Sequence, residues 1–569
     1  MTTVPSSEPV SAAAETAHGD LVTKLFAEAL AQFSGASQPR APGPIPAPEL
    51  TAAPGLPAAE APTGVPPVHP TAQPAAPKLS GSEATPSGAH SPDSGDSYAF
   101  GEPRCNGNYR PQGNQPERKS GGTNLYAGFP EAESLGTPEY YFLHGGEAGK
   151  SPTACQSYPR TSAPVPRFDV EAVRRDFPAL HQLVHGKALI WLDNAATTHK
   201  PQPVIDATNQ FYSRDNSNIH RAAHALAARS TELFEAGREK VRKFLGAADA
   251  KEIVFVRGTT EAINLVAQSY GRKNIGAGDE IIVSELEHHA NIVPWQLLAE
   301  QVGAALRVIP INDRGELILE EYARLLGPKT KFVSVAHVSN SLGTVNPVEQ
   351  IIALAHARGV PVLVDGAQST PHLPVNVTAL DADFYAFSGH KIFAPTGIGA
   401  LYGKAPLLAA MPPWQGGGHM IKDVSFDKTI YQQAPEKFEA GTPDIAGVVG
   451  LGAAIDYLFK VGIPGIAAYE HALLEYGTQA LATVPGLRPI GTAASKASVL
   501  AFVIPGVPND AIARHLDRHG IAVRAGHHCA QPAIRHFGLE SSVRPSLAFY
   551  NTREEIDALV SALRSLKRN

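Results

Sequence analysis

Cysteine is scarce in this chain: 3 residues in 569, at Cys105, Cys155 and Cys529. They are too few and too scattered for a disulfide framework or a zinc site, which points to a reducing cytoplasm. An excess of positive charge is also missing. With 48 Lys and Arg against 54 Asp and Glu, the net charge of −6 gives no reason to expect nucleic acid or an anionic membrane as partner. No apolar run approaches the roughly 20 residues of a membrane span. The opening MTTVPSSEPVSAAAETAHGD has neither a basic region nor an apolar core, so it does not read as a secretory signal. Glu8, Glu15 and Asp20 argue against an organellar transit peptide, which is poor in acids.

Residues 1 to about 165 lack long apolar runs and are crowded with Pro, Ala, Ser and Gly. Such a segment cannot repay the entropy of ordering itself, so it is expected to be a disordered extension. Its Pro- and Ala-rich tract from Pro39 to Pro77 reads as a semi-rigid spacer. Residues 20–33, DLVTKLFAEALAQF, place Val22, Phe26, Ala29, Leu30 and Phe33 on one helical face behind the potential cap Asp20. A helix this short is marginal alone and needs a partner surface. Aromatic clusters near Tyr98, Tyr126 and Tyr140 are of the kind that fold onto a partner, or that fold back on the body of the protein. Cys105 and Cys155 have no base nearby and read as incidental thiols.

What is present begins at Arg167. The remaining 400 or so residues alternate apolar runs with helical patterns, which gives an α/β fold with a mostly parallel sheet. Two runs, VLVDGAQ and DFYAFSGHK, stop abruptly on polar residues. They bring Asp365 and Gln368, then Ser388, His390 and Lys391, to the carboxyl ends of successive strands, where open α/β sheets bind ligands. Lysine there can form a Schiff base, and an acidic partner for a pyridinium nitrogen is what pyridoxal phosphate requires. Upstream, a strand over Ile253–Val256 runs into Gly258, Thr259 and Thr260 at a helix start. That is a phosphate cradle, although Thr is also a routine cap. A further strand is expected to end near His288 and His289, where a flat imidazole could stack on an aromatic ring. Metal binding there is the rival reading, but no Cys or acidic residue has suitable spacing. Another strand is expected to end at Asn340. FDVEAVRRDFPAL reads as a helix capped by Asp169, followed by a short strand ending at Asp193 and Asn194. His220, Arg221 and His224 could face a ligand anion or lie plainly on the surface. Thr442, in the Gly-rich FEAGTPD, could reach a phosphate across a subunit boundary.

From about Ile445 the pattern turns to helices with weaker strands, VLAFVIPG and IAVRAG, a smaller second domain of α+β type. The chain thus divides into residues 1–165, a large domain 166–440 whose residues 166–190 pack with the small domain, and a small domain 441–569. The small domain carries RAGHHCAQP. Cys529 needs a positive field to act as thiolate, and Arg524, His527 and His528 offer one. Arg544, placed at the start of an apolar strand, could grip a carboxylate in bidentate fashion.

With these motifs in place, residues 167–569 resemble the pyridoxal-phosphate-dependent cysteine desulfurases, in particular the second group typified by SufS. RGTTEAINLVA, EHHANIVPWQ, HVSNSLGT, LVDGAQ, FSGHK, PTGIG, FEAGTP, RAGHHCA and RPSLAFYNT all carry the likeness. It implies the fold type I, aspartate aminotransferase-like architecture. Lys391 would bind pyridoxal phosphate covalently, Asp365 would pair with its ring nitrogen, and His288 would stack on the ring. Gln368 would contact the ring hydroxyl, and Thr260, Ser388 and His390 the phosphate, with Thr259 and Thr442 beside them. Asn340, Arg524, Arg544 and His220 would bind substrate, and Cys529 would carry a persulfide; no metal is implied. The resemblance further implies L-cysteine as substrate, a SufE- or SufU-like sulfur acceptor or a thiol reductant, a homodimer, and a place in sulfur metabolism such as iron–sulfur cluster assembly. Gln415 and His419 in WQGGGHM depart from the Glu and Ser of the enterobacterial pattern, which puts partner choice in doubt. A desulfurase with a Pro/Ala-rich leader is similar to cargo enzymes of family 2 encapsulin shells. That implies shell docking through residues 1–165 and a role in sulfur storage or mobilisation. Selenocysteine lyase uses the same scaffold. A non-catalytic scaffold acting through its leader is the remaining alternative, and the intact Lys391, Asp365, Cys529 and Arg544 set argues against it.

Overall fold

The computed structural model describes residues 168–220 and 223–566. The expected helix at 20–33, the spacer, the aromatic clusters and Arg221 lie outside the described residues. Short apolar runs closed by polar residues build a seven-stranded sheet. Its strands are β1 Ile253–Val256, β2 Glu280–Ser284, β3 Ala305–Ile309, β4 Thr330–Ala336, β5 Val362–Asp365, β6 Phe384–Ser388 and β7 Gly399–Gly403. Side by side they run β1-β7-β6-β5-β4-β2-β3. Every pair from β6 to β3 is parallel, and only β7 runs against its neighbours. Alternate residues feed two apolar layers. Val362, Val364, Tyr385 and Phe387 pack with Ile351 and Ile352 of the helix Val348–His356, whereas Leu363, Phe384 and Ala386 pack with Ile263 and Trp295 on the other face. Burial on both faces is why these strands read as unbroken apolar runs.

The expected strand Ile253–Val256 and the helix after it, Thr259–Val266, are present. Asp169 caps a helix by accepting from Ala172 N, but that helix covers only Val170–Arg175; Pro178 disfavours helical backbone at Phe177 and ends it. Four strand boundaries differ from expectation. The strand Ile190–Trp191 stops two residues before Asp193, which makes only an isolated bridge to Ser546. β2 stops four residues before His288, because Glu287 turns the chain by accepting from Ala336 N at 3.0 Å and Asn291 Nδ2 at 2.6 Å. β4 stops four residues before Asn340, where Asn346 takes over the ladder by donating to Ala336 O at 2.8 Å. Arg544 ends the strand Ser542–Arg544 rather than starting one, since Pro545 has no N–H to continue it.

After the helices Ile445–Val461 and Ile463–Ala482 comes an antiparallel sheet of β8 Arg488–Pro489, β9 Phe502–Val503, β10 Arg524–Gly526 and β11 Ser542–Arg544, in the order β8-β9-β11-β10. The N-terminal part of the described chain joins it. Ile190–Trp191 pairs in parallel with Ile521–Ala522, and the Phe168 ring stacks on Tyr469 at 4.5 Å.

Candidate active site

The carboxyl ends of β5 and β6 and the turn before the helix Thr259–Val266 open into one cavity of about 190 Å³. Lys391 lies in the 3-10 turn Gly389–Lys391 that β6 runs into. Burial pushes its amine down to about 8, partly opposed by Asp365. Asp365, the last residue of β5, accepts from Ala367 N at 2.9 Å. Burial raises its carboxyl, and that hydrogen bond and the Lys391 charge pull the other way. Gln368 lines the same wall, with its amide donating to Ala195 O at 2.6 Å.

His288 is held by its Nδ1, which accepts from Ala290 N at 3.0 Å, so its proton sits on Nε2. Burial, followed by the Lys391 charge, pushes this imidazole down to about 3, and it stays neutral. Neighbouring Glu287 is fully buried and its carboxyl is raised to about 7 by desolvation. Its bonds to both β4 and Asn291 fix the turn that carries His288, a role with no motif to signal it.

At the other end of the cavity, Ser388 Oγ accepts from Thr259 N at 2.9 Å and meets Thr259 Oγ1 at 2.9 Å. Gly258 approaches so closely, at φ 151°, that a Cβ would stand 3.0 Å from Ser388 Oγ. β7 passes beneath, and a Cβ on Gly399 would stand 2.7 Å from Gly258 Cα. The first N–H groups of this helix have no intrahelical acceptor, and Thr260 lines the cavity beside them. His390, pushed down to about 4 by burial and then by the charges of Lys391 and Lys200, contacts Thr197 Oγ1 through Nδ1 at 3.2 Å.

The remaining wall comes from the C-terminal sheet. Cys529 and Arg544 line the cavity that Lys391 lines. Both His528 and Cys529 adopt left-handed backbone, φ 55° and 54°, which is strained for non-glycine residues. Four hydrogen bonds hold them: His289 N to Cys529 O at 2.7 Å, Ala530 N to His527 O at 2.9 Å, Asn340 Nδ2 to His528 O at 2.6 Å, and Cys529 N to His527 Nδ1 at 3.1 Å. The His528 ring turns away to Ser542 Oγ at 2.9 Å, and burial pushes it down to about 3, so His528 adds no charge to the positive field at the cavity. Arg544 donates to Asn340 O at 2.8 Å and to Asp193 Oδ1 at 3.1 Å. Thr442 and His220 stand elsewhere. Thr442 lines a second cavity with Arg257 and Gln415, and His220 sits 5.0 Å from the His419 ring.

The residues fit pyridoxal phosphate. Gly258 and the Thr259–Ser388 pair form a cradle that a Cβ would crowd, Lys391 and Asp365 supply an amine and a carboxylate, and His288 supplies a neutral ring. Buried Arg544 Nε and Asn340 Oδ1 are without a partner among the described residues, as expected beside a polar ligand. Fold and site together define a fold type I pyridoxal-phosphate enzyme.

The family model of the class-V aminotransferases matches residues 190–559. A cysteine desulfurase of Synechococcus elongatus is 61% identical over 400 residues, 70% of this chain and 64% of the relative. The chain likewise spans only 65% and 58% of two mycobacterial relatives. A probable cysteine desulfurase of Vibrio cholerae is 50% identical over 98% of its length and 70% of this chain. In the crystal structure of the Escherichia coli cysteine desulfurase CsdA (S-sulfonic acid), 97% of that chain superposes on 69% of this one, with TM-score 0.65 and 45% identity. This chain belongs to the class-V aminotransferase family, and the relatives it matches are cysteine desulfurases or probable ones.

Proposed function

We propose that the chain converts L-cysteine to L-alanine and takes the sulfur onto Cys529 as a persulfide. One observation carries this reading: Lys391, Cys529 and Arg544 line a single cavity. Pyridoxal phosphate, when bound, supplies an electron sink for bond breaking at the substrate amino acid. Lys391 would hold its aldehyde carbon, Asp365 its ring nitrogen, His288 its ring face and Gln368 its ring oxygen. Thr259, Thr260, Ser388 and His390 would hold the phosphate.

Arg544 and Asn340 orient the substrate carboxylate. The Lys391 amine, kept near neutrality by burial, moves the proton at Cα. Cys529 attacks the substrate sulfur as thiolate. An S–S bond forms, the Cβ–S bond breaks with its electron pair left on carbon, and protonation there gives alanine. An acceptor thiol or reductant then removes the sulfur. Purified protein loaded with cofactor should form alanine from cysteine; no alanine above a Lys391→Ala control would sink the reading. Faster turnover of selenocysteine than of cysteine would favour the lyase instead.

A SufS-like mode of sulfur delivery is part of the proposal. Only His527 to Ala530 separate β10 from the helix Gln531–His536, and the four hydrogen bonds above pin that connection. A nucleophile so held cannot travel, so the acceptor, a SufE- or SufU-like protein or a small thiol, must enter the cavity. In a homodimer, Thr442 would serve the partner's phosphate site. Residues 1–165 would carry the enzyme into an encapsulin shell in the cytoplasm; their composition, and relatives that are themselves longer than the match, support this. If deleting residues 1–160 leaves co-purification with a co-expressed family 2 shell protein unchanged, shell docking is wrong.

A further inference from the structure

We propose that Asp193 is a positioning residue for substrate binding, whose carboxylate sets Arg544 to receive an amino-acid carboxylate. The inference rests on the desulfurase reading above. Arg524 and Arg544 lie directly opposite each other in the antiparallel pair β10–β11, and like charges so placed repel. Arg544 is 2% exposed, so water does little to screen it.

Asp193 compensates from behind. Its Oδ2 accepts from Arg524 Nε and Nη2, both at 3.1 Å, and its Oδ1 accepts from Arg544 Nη2 at 3.1 Å. Each carboxylate oxygen takes one arginine. Arg544 Nη1 is fixed separately by Asn340 O. Its Nε, buried and unpartnered among the described residues, is free to donate to a ligand. Both arginines line the cavity and Asp193 does not, so it acts through them.

The segment carrying Asp193 is threaded into the C-terminal sheet. Leu192 N donates to Ala522 O at 2.9 Å, Ser546 N donates to Leu192 O at 2.7 Å, and Asp193 itself bridges to Ser546. This fixes the carboxylate between the two arginines before substrate arrives. Without its charge, half-exposed Arg524 can turn to water. Buried Arg544 cannot, and loses the contact that aims it.

The test uses the full chain loaded with pyridoxal phosphate and the isosteric Asp193→Asn variant. The KM for L-cysteine and the calorimetric Kd for L-alanine should each rise about tenfold, as for loss of a charge-assisted hydrogen bond, with kcat changed much less. KM and Kd at the wild-type values, even with a lowered melting temperature, overturn the proposal, because Asp193 is then structural only. If Asp193→Asn does not fold, Asp193→Glu keeps the charge and shifts it by one methylene. A raised KM there supports positioning, and an unchanged one overturns it. Wild type that binds alanine but makes none from cysteine defeats the desulfurase reading instead, which separates the two failures.

Discussion

The backbone N–H of His289 donates to the carbonyl of Cys529 at 2.7 Å, and Gln531 N donates in turn to His289 Nε2 at 3.3 Å. The thiol is thus presented by a loop clamped on both sides. Because that clamp holds Cys529 by its backbone and not by its thiol, Cys529→Ala should keep the cavity and the yellow cofactor. It should lose sulfide release in the presence of a thiol reductant, down to background. Normal release by this variant would remove Cys529 as the nucleophile.

Arg544 supplies geometry as well as charge. Its planar fork reaches Asn340 O and Asp193 Oδ1 while keeping Nε available. Lysine keeps the charge but loses the fork. Arg544→Lys should therefore raise the KM for cysteine about 10- to 100-fold, the range of one charge-assisted hydrogen bond lost from a buried site. A change under twofold would show that substrate is anchored elsewhere.

Cofactor uptake by the apo-protein should report on Lys391 directly. Only the unprotonated amine can attack an aldehyde, and burial brings this amine from the ordinary 10.5 down to about 8. The rate constant for pyridoxal phosphate uptake, followed by absorbance, should rise with pH and level off above about 8. A rise continuing to 10 would mean that burial leaves this amine unshifted.

Much of this centre was legible in the chain. Lys391, Asp365, Ser388 and Gln368 announce themselves because β5 and β6 are buried on both faces, so the first polar residues after each apolar run have to stand at the mouth of the sheet. Strand ends set by side-chain capture were not legible. Nothing in ELEHHAN says that Glu287, past the end of β2, will bind Ala336 N, or that His288 will therefore sit past a turn. The bridging of Arg524 and Arg544 by Asp193 joins segments far apart in sequence, and such pairing leaves no local pattern.

A buried ion pair beside the second cavity gives a stability prediction. Arg238 is bidentate to Glu439 at 2.7 and 3.0 Å, and Glu439 also accepts from Phe255 N at 2.7 Å. The guanidinium packs over the Phe234 and Phe255 rings at 5.2 and 4.6 Å. Glu439→Ala leaves the buried cation with only the partly exposed Glu235 and the Ile253 carbonyl, and strands a strand N–H, so it should cost about 3–5 kcal/mol of unfolding free energy by denaturant titration. A loss under about 1 kcal/mol would mean that water replaces the carboxylate at low cost.

Acid should unfold this protein through its neutral histidines. The His337 ring is buried against the Tyr385 hydroxyl at 3.1 Å, and burial alone pushes it from 6.5 down to about 4. His199, His390, His288 and His528 are lowered in the same sense. Between pH 6.5 and about 4 the unfolded chain binds a proton at residue 337 and the folded chain does not. Stability therefore falls as pH falls through that window, by roughly 3 kcal/mol for this one group. Above pH 6.5 both states are neutral there, and the slope from His337 vanishes. His337→Asn should remove close to one proton from the slope of unfolding free energy against pH in that window, whatever it does to stability at pH 7. Parallel wild-type and variant curves from pH 7 to 4 would mean that His337 titrates alike in both states.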